Sequence, residues 1–368
     1  MRISVPTETA SREHRVALAP DSASRLVKSG LEITVQSGAG LAAGFRDDAY
    51  REVGVKIVPD AHAVFSGAQV VAKVQPPTES EIALMTERTA LISLMRPGQH
   101  QELAAMLARR NVSALALELV PRITRAQSMD VLSSQSTVAG YKAVLLGAAE
   151  LGKFLPMLTT AAGNISPARV FVIGAGVSGL QAIATARRLG GVVSAFDVRP
   201  AAREQVQSLG ATFVATELVN ATAETTGGYA RAQTTEEQQR TLAAIAGHIK
   251  DVDLVITTAQ IPGRRAPTLI TSDMVRTMRA GAVIVDLAVE SGGNCELSKL
   301  GETVQVNDVT IMGPVNLPSS VAFHASQMFG RNILALLQHL VKEGAMTLDP
   351  TDEITSAMLV VHEGKVLK

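Results

Sequence analysis

Tryptophan is absent from this 368-residue chain, and aromatic residues of any kind make up 3% of it. So few rings leave little on which nucleic-acid bases could stack. An excess of charge of either sign is also missing: 34 Lys and Arg balance 34 Asp and Glu, a formal net charge of zero at pH 7. Nucleic acid, which draws on a basic surface, is therefore not expected as a partner. Cysteine occurs once, at Cys295, so no disulfide can close within the chain and a reducing compartment suits it. No apolar run reaches the roughly 18 residues of a membrane span. Even Val172–Ala186 is interrupted by glycines, Ser178 and Gln181. Met1-Arg-Ile-Ser-Val-Pro enters a strand directly, with no apolar leader. The chain is not expected to cross a membrane by itself.

What is present is an ordinary globular mixture, 46% hydrophobic and 18% charged. The length exceeds what one core usually serves, so two domains are expected. One stretch organises the rest: Ala168–Arg199, ARVFVIGAGVSGLQAIATARRLGGVVSAFDVR. Val170–Ile173 reads as a buried parallel strand. Gly174-Ala-Gly176-Val-Ser-Gly179 follows, then a helix over Leu180–Leu189, then a strand over Val192–Phe196 that closes on Asp197. Gly174 permits the tight turn, Gly176 lets the backbone approach a pyrophosphate, and Gly179 lets helix and strand pack closely. The helix N-terminus supplies N–H donors and a positive dipole end for the phosphates. Asp197 stands 18 residues after Gly179, placed to accept hydrogen bonds from an adenosine ribose. The acid favours NAD(H), because a 2′-phosphate would be repelled. A nearby arginine can serve NADP, but Arg199 is read here as a solvated helix-entry residue.

The expected fold is α/β, with two doubly wound, mostly parallel-sheet domains, the second a Rossmann dinucleotide-binding domain. Residues 1–132 with 306–368 form the first, discontinuous domain, and 133–305 the second. In the first, strands at Arg2–Val5, Leu31–Val35, Val55–Val58, Val70–Val74, Leu91–Leu94 and Ser113–Leu117 alternate with helical stretches. A polar crossover, Val120–Ser136, leads to a bridging helix over Thr137–Leu151. Beyond Asp197 the second domain continues with a helix at 201–209 and strands at Thr212–Val214, Asp253–Thr257 and Ala282–Asp286. Glu217–Thr235 is polar and without periodicity, which suggests a functional mobile loop. A long amphipathic helix over Ser319–Lys342 returns to the first domain, and residues 343–368 read as a short extended tail.

GAGVSGLQAIATARRLG with AFDVR, the crossover RAQSMDVLSSQS, GGYA, TTAQIPGR and VDLAVESGGNCE together resemble the alpha subunit of proton-translocating NAD(P) transhydrogenase, in its soluble NAD(H)-binding domain I. The resemblance is collinear over nearly the whole chain. Its most specific block is the crossover, because the other blocks are shared with alanine dehydrogenase, a relative of the same fold. It implies a homodimer that docks on an NADP(H)-binding domain III, a membrane domain that moves protons, and a place on the cytoplasmic face, peripheral to the inner membrane. Because the chain stops without a membrane segment, the split form of the alpha subunit is expected. The implied reaction is the Si-specific/Re-specific, proton-translocating transhydrogenation, in which a hydride passes directly between two nicotinamide rings. No general acid or base is then required, only alignment of the rings.

The resemblance also implies the site. Arg122, Asp130 and Ser133 match residues that hold the nicotinamide end of NAD(H), and Gln127 matches a glutamine that reaches toward the partner's NADP(H). Asp130 and Ser133, three apart, share one side if the segment is helical. The plainer reading of Arg122 and Asp130 is a surface ion pair. Tyr229, with Gly228, matches a mobile loop that closes over nucleotide; without the family it reads as an ordinary loop residue. Gly174, Gly176, Val177, Gly179, Asp197, Val198, Arg199, Ala259, Gln260, Leu287 and Glu290 fall at cofactor-binding positions. No metal is implied.

An alanine dehydrogenase is the alternative. Amine oxidation and imine hydrolysis need proton transfer and a carboxylate clamp. Arg15, in EHRVALAP, and Lys73, in VVAKVQPP, match that family's carboxylate-binding arginine and its lysine. Its catalytic histidine is missing, because LISLMRPGQ places Arg96 there, and Glu290 stands where an aspartate is carried. His14 and His100 lie nearby but not at the matching position. Arg15 and Lys73 are therefore read as inherited fold residues in an internal ion-pairing cluster, and Cys295 as a buried inert thiol. A non-enzymatic NAD(H)-sensing module is a second alternative.

Overall fold

The computed structural model describes residues 1–215, 231, 233–261 and 264–368. They form two compact units, Met1–Gln135 with Pro318–Lys368, and Ser136–Leu317.

The first unit opens with β1 (Arg2–Val5), α1 (Pro20–Lys28), β2 (Glu32–Gln36), α2 (Asp47–Arg51) and β3 (Lys56–Val58). It continues with α3 (Ala61–Phe65), β4 (Val70–Ala72), α4 (Glu79–Leu84), β5 (Ala90–Ser93), α5 (Gln101–Arg109) and β6 (Ser113–Ala116). The spatial order is β3-β2-β1-β4-β5-β6, every pair parallel. The chain starts mid-sheet, builds one way, then returns to build the other. Every residue of β4 and β5 is buried. Burial on both faces is why these strands read as continuous apolar runs rather than alternating ones. Local chemistry fixes several helix starts: Pro20 occupies the first turn of α1, and Thr78 and Glu81 form a capping box on α4.

Helix α6 (Val131–Glu150) begins in the first unit and continues in the second. Its glycines set close packing inside the second unit. A Cβ on Gly140 would lie 2.1 Å from the Ser178 carbonyl oxygen.

The second unit carries a small hairpin, β7 (Leu158–Thr160) and β8 (Gly163–Ile165), and then β9 (Arg169–Ile173), α7 (Val177–Arg188), β10 (Val192–Phe196), α8 (Pro200–Ser208) and β11 (Thr212–Phe213). There follow α9 (Thr235–Ile249), β12 (Leu254–Thr257), α10 (Ser272–Thr277), β13 (Val283–Asp286), β14 (Thr303–Val306) and β15 (Val309–Met312). The order β11-β10-β9-β12-β13-β15-β14 repeats the winding of the first sheet, with only β14 antiparallel. Successive β9 residues feed opposite cores: Val170 and Val172 enter one, Phe171 and Ile173 the other.

The chain then returns to the first unit with α11 (Ala322–Leu340), β16 (Val341–Lys342), β17 (Ala345–Met346), α12 (Glu353–Met358), β18 (Leu359–His362) and β19 (Lys365–Val366). Strand β18 pairs antiparallel with β6, and β19 extends the edge.

Three expectations are corrected. The second unit does not stop at 305, because β15 pairs with β13 and carries β14 with it. The C-terminal stretch is not simply extended. Asp352 accepts hydrogen bonds from the N–H groups of Ile354 and Thr355 and so starts α12. The expected helix over Ser319–Lys342 is a 3-10 turn, Leu317–Val321, followed by α11. The expected loop at Glu217–Thr235, with Gly228 and Tyr229, lies mostly outside the described residues. Its far end is described: Thr234 and Glu237 form a capping box on α9.

Candidate dinucleotide-binding site

In an open parallel sheet a crevice forms at the carboxyl ends of the strands, where the winding reverses. In the second unit that point lies between β9 and β12. Gly174 leaves β9 at φ +94°, a left-handed conformation that suits glycine. A Cβ on it would lie 2.8 Å from Thr258 Oγ1, which donates to the Gly174 carbonyl at 2.8 Å. A Cβ on Gly179 would fall 1.8 Å from that same carbonyl oxygen. Gly176 is different. It precedes α7 in extended conformation, and among the described residues the nearest atom to a Cβ there is Arg199 Nη2, at 4.0 Å. The turn is closed below by Gly174 and Gly179 and open above at Gly176, where the first N–H groups of α7 have no acceptor within the helix. That open cradle fits a pyrophosphate.

Asp197 follows β10 and is 7% exposed. Its Oδ2 accepts from Ala175 N at 2.7 Å and its Oδ1 from Arg199 N at 2.9 Å. Arg199 is not the solvated residue expected. Its guanidinium grips Asp197 from Nε to Oδ1 at 3.0 Å and from Nη2 to Oδ2 at 2.8 Å. A nearly buried carboxylate needs its charge compensated, and Arg199, two residues on, supplies a cation at 2.8 Å.

The loops after β12 and β13 complete the rim. Ala259 and Gln260 follow β12, and Gln260 Nε2 donates to the Leu287 carbonyl at 3.0 Å. Glu290 lies in a 3-10 turn, Val289–Ser291, and is exposed. Val177 is exposed at the start of α7, and Val198 is half-buried beside Asp197. Two residues that hold these loops carry no clear signal in the sequence. Asp286, fully buried, accepts from Thr257 Oγ1, Ser298 Oγ and the N–H groups of Ala288, Asn294 and Cys295, at 2.7–3.0 Å. Asn294, also fully buried, ties the two loops together. Its Nδ2 donates to the Ala259 carbonyl at 2.9 Å and the Pro267 carbonyl at 2.8 Å, and its Oδ1 accepts from Ala259 N at 3.0 Å. The one available hint is an acid closing the apolar strand Val283-Ile-Val-Asp286. Cys295 is buried beside them, and burial pushes its thiol up to about 11, which fits an unreactive thiol.

The crossover lies in the first unit as far as Gln135. Thr124–Met129 is a 3-10 helix held by Ala126 and Met129 in the core, and Asn332 Nδ2 donates to the Ser128 carbonyl at 2.8 Å. Arg122 and Gln127 are exposed. Asp130 and Ser133 are brought together: Asp130 Oδ1 accepts from Ser133 N at 2.9 Å and Oδ2 from Ser133 Oγ at 2.5 Å. Asp130 thus caps α6, a structural task the spacing alone did not reveal.

The first sheet has its own winding reversal, between β1 and β4. The chain fills it with its own ion pairs. Arg15 grips Glu13 from Nε at 2.8 Å and Nη2 at 2.7 Å, and its Nη1 donates to Gln135 Oε1 at 2.8 Å. Lys73, 1% exposed, lies 2.7 Å from Glu81 and 3.4 Å from Glu8. Burial raises the Glu13 carboxyl, but the Arg15 guanidinium outweighs it and leaves Glu13 at about 2. Glu8 stays above the usual carboxylate range because burial exceeds the pull of Lys73. Arg96 Nη2 donates to Gln75 Oε1 at 3.2 Å. Arg15 and Lys73, the two cations that match the dehydrogenase pattern, are thus already paired with carboxylates of the chain itself, as an ion-pairing cluster requires. Among the described residues no group of His, Cys, Asp and Glu could hold a metal ion, and no helix is long and apolar enough to cross a membrane.

Comparison with known proteins matches nearly the whole chain to one family. The alanine dehydrogenase/PNT N-terminal domain profile matches residues 4–139, and the alanine dehydrogenase/PNT C-terminal domain profile matches residues 143–368. The NAD(P) transhydrogenase subunit alpha of Cereibacter sphaeroides is 42% identical over 370 residues, covering 100% of this chain and 71% of that protein. The first of the NAD(P) transhydrogenase alpha-subunit polypeptides of Rhodospirillum rubrum is 45% identical over 375 residues, covering 100% of this chain and 98% of that protein. The crystal structure of transhydrogenase from Sinorhizobium meliloti superposes with a TM-score of 0.91 at 42% identity, covering 100% of both chains. An L-alanine dehydrogenase structure superposes with a TM-score of 0.84 at 29% identity, covering 100% of this chain and 97% of the other.

Proposed function

The chain belongs to the alanine dehydrogenase/PNT family, with the NAD(P) transhydrogenase alpha subunits among its relatives, and we propose that it is the NAD(H)-binding component of a proton-translocating transhydrogenase. The observation that carries the choice is the contrast between the two winding reversals. The one in the second unit is an open glycine cradle with an acid at its side. The one in the first unit is filled by its own ion pairs, with Arg96 in the stretch where a dehydrogenase needs its histidine. A site that binds a dinucleotide without an acid–base pair suits direct hydride exchange better than amine oxidation.

NAD(H), when bound, supplies or accepts the hydride at its nicotinamide ring. The chain's own residues do the rest by positioning. The α7 N-terminus and the Gly176 backbone take the pyrophosphate, and Asp197 takes the adenosine ribose. Val177, Val198, Ala259, Gln260, Leu287 and Glu290 border the nucleotide; Gly228 and Tyr229, also expected at the cofactor, lie outside the described residues. Arg122, Asp130 and Ser133 orient the nicotinamide end. Gln127, exposed on a turn fixed from below by Ala126 and Met129, reaches toward NADP(H) on a partner subunit. The protein works as a homodimer with an NADP(H)-binding domain III and a membrane component that moves protons, and it sits peripheral to the membrane through them.

The test is to mix the chain with the NADP(H)-binding subunit of a transhydrogenase and NADPH, and to follow reduction of an NAD analogue. Transfer is expected, and Gln127→Asn should slow it while NADH binding is retained. No transfer, together with NAD-dependent oxidation of alanine, would overturn the proposal.

A further inference from the structure

The carboxylate proposed to receive the adenosine ribose already carries a full set of donors. An ionised carboxylate offers about four lone-pair positions. Asp197 uses two for the backbone N–H groups of Ala175 and Arg199, at 2.7 and 2.9 Å. The Arg199 guanidinium takes the others, one on each oxygen, at 3.0 and 2.8 Å. The backbone donors are fixed by the turn. The guanidinium donors come from a side chain that can swing away, and they are arranged as a parallel fork. The vicinal 2′,3′-diol of a ribose presents two O–H donors side by side in the same manner. Diol and guanidinium therefore compete for the same two acceptor positions. Arg199 also reaches over the glycine turn, where its Nη2 is, among the described residues, the atom nearest to a Cβ placed on Gly176.

We propose that Arg199 is a specificity-determining residue, an internal cation that competes with the NAD(H) ribose for Asp197 and sets how strongly NADP(H) is refused. This rests on the proposed NAD(H) site. NADP(H) lacks one of the two hydroxyl donors and puts a phosphate in its place. Asp197 repels that phosphate. Arg199, once displaced, is a charged fork suited to it. Asp197 thus sets the sign of the preference and Arg199 its size.

The experiment measures NADH and NADPH dissociation constants, by nucleotide fluorescence, for the unmodified chain, Arg199→Ala, Asp197→Ala and the double variant. Arg199→Ala should raise the NADPH-to-NADH ratio about tenfold, since the carboxylate then faces the phosphate unscreened. Asp197→Ala should lower the ratio by about tenfold or more while Arg199 is present, and by much less in the double variant. A ratio unmoved by Arg199→Ala, or an NADPH gain in Asp197→Ala that does not need Arg199, would overturn the inference. Both cofactors weakening in step, as a folding defect would cause, leaves the ratio unmoved and counts against it. Failure of the unmodified chain to bind NADH would instead overturn the proposed function.

Discussion

Replacing Gly176 by alanine and, separately, Gly179 by alanine should separate nucleotide binding from folding. The two positions are three residues apart in one motif, but the surroundings of an added methyl differ. At Gly179 it would stand 1.8 Å from the Gly174 carbonyl oxygen and 2.9 Å from the carbonyl carbon, both main-chain atoms that cannot rotate away. Helix α7 or the turn must shift, at a cost of about 1–3 kcal/mol or more. At Gly176 the nearest atom of the described residues is 4.0 Å away and φ is −77°, which alanine adopts freely. The folded protein loses nothing there, and the stiffer unfolded chain adds about 0.4–1 kcal/mol of stability. The same methyl points to where a pyrophosphate must approach. Treated as overpacking, it costs about 1–3 kcal/mol of binding, or about 5- to 150-fold in NADH dissociation constant. Denaturant unfolding without nucleotide and an NADH fluorescence titration read the two effects independently. Gly176→Ala should be slightly more stable than the parent and bind poorly, and Gly179→Ala should be unstable. Equal destabilisation by both, or parental NADH affinity in Gly176→Ala, would refute the division of labour.

Asn294→Ala strips partners from the Ala259 N–H and carbonyl and the Pro267 carbonyl, all partly reached by solvent. It should cost about 2 kcal/mol of stability and weaken NADH binding; calorimetry and melting checks that find neither change would remove Asn294 from its loop-tying role. Asp130→Ala removes the α6 cap and should cost about 1 kcal/mol, seen as a lower denaturation midpoint; an unchanged midpoint would leave the cap without energetic weight. Glu13 sits at about 2 in the folded chain, below its ordinary 4.5. Its stabilisation, about 3 kcal/mol, is therefore present above pH 4.5 and lost as pH falls toward 2. The stability gap between the parent and Glu13→Gln should close over that window, and a gap independent of pH would contradict the pairing. Glu8, raised by burial and in smaller part by the Glu13 charge, is raised less in Glu13→Gln, and that difference acts above pH 4.5, outside this window.

Much of the second unit was legible because backbone needs and side-chain types coincide there. Strand β9, the glycines and Asp197 each have one physical reason to be what they are. Both sheets are α/β and wound the same way, as the alternation of short apolar strands with helices implies. What stayed hidden depends on partners distant in sequence. Nothing near Asp286 or Asn294 announces that one gathers five donors and the other links two loops. Arg199 reads from the sequence as a solvated residue, and it is paired because Asp197 beside it is nearly buried. Strands β14 and β15 and helix α12 were missed because they are short, and pairing or a single cap stabilises them rather than a long periodic pattern.

The most direct test of the central claim uses NADH labelled with deuterium on the transferred position of its nicotinamide, mixed with this chain and an NADP+-loaded transhydrogenase partner subunit. Direct exchange between two rings predicts that the label appears in NADPH without dilution by solvent protons. Label lost to water, or retained in NADH while alanine is oxidised with NAD, would contradict the account.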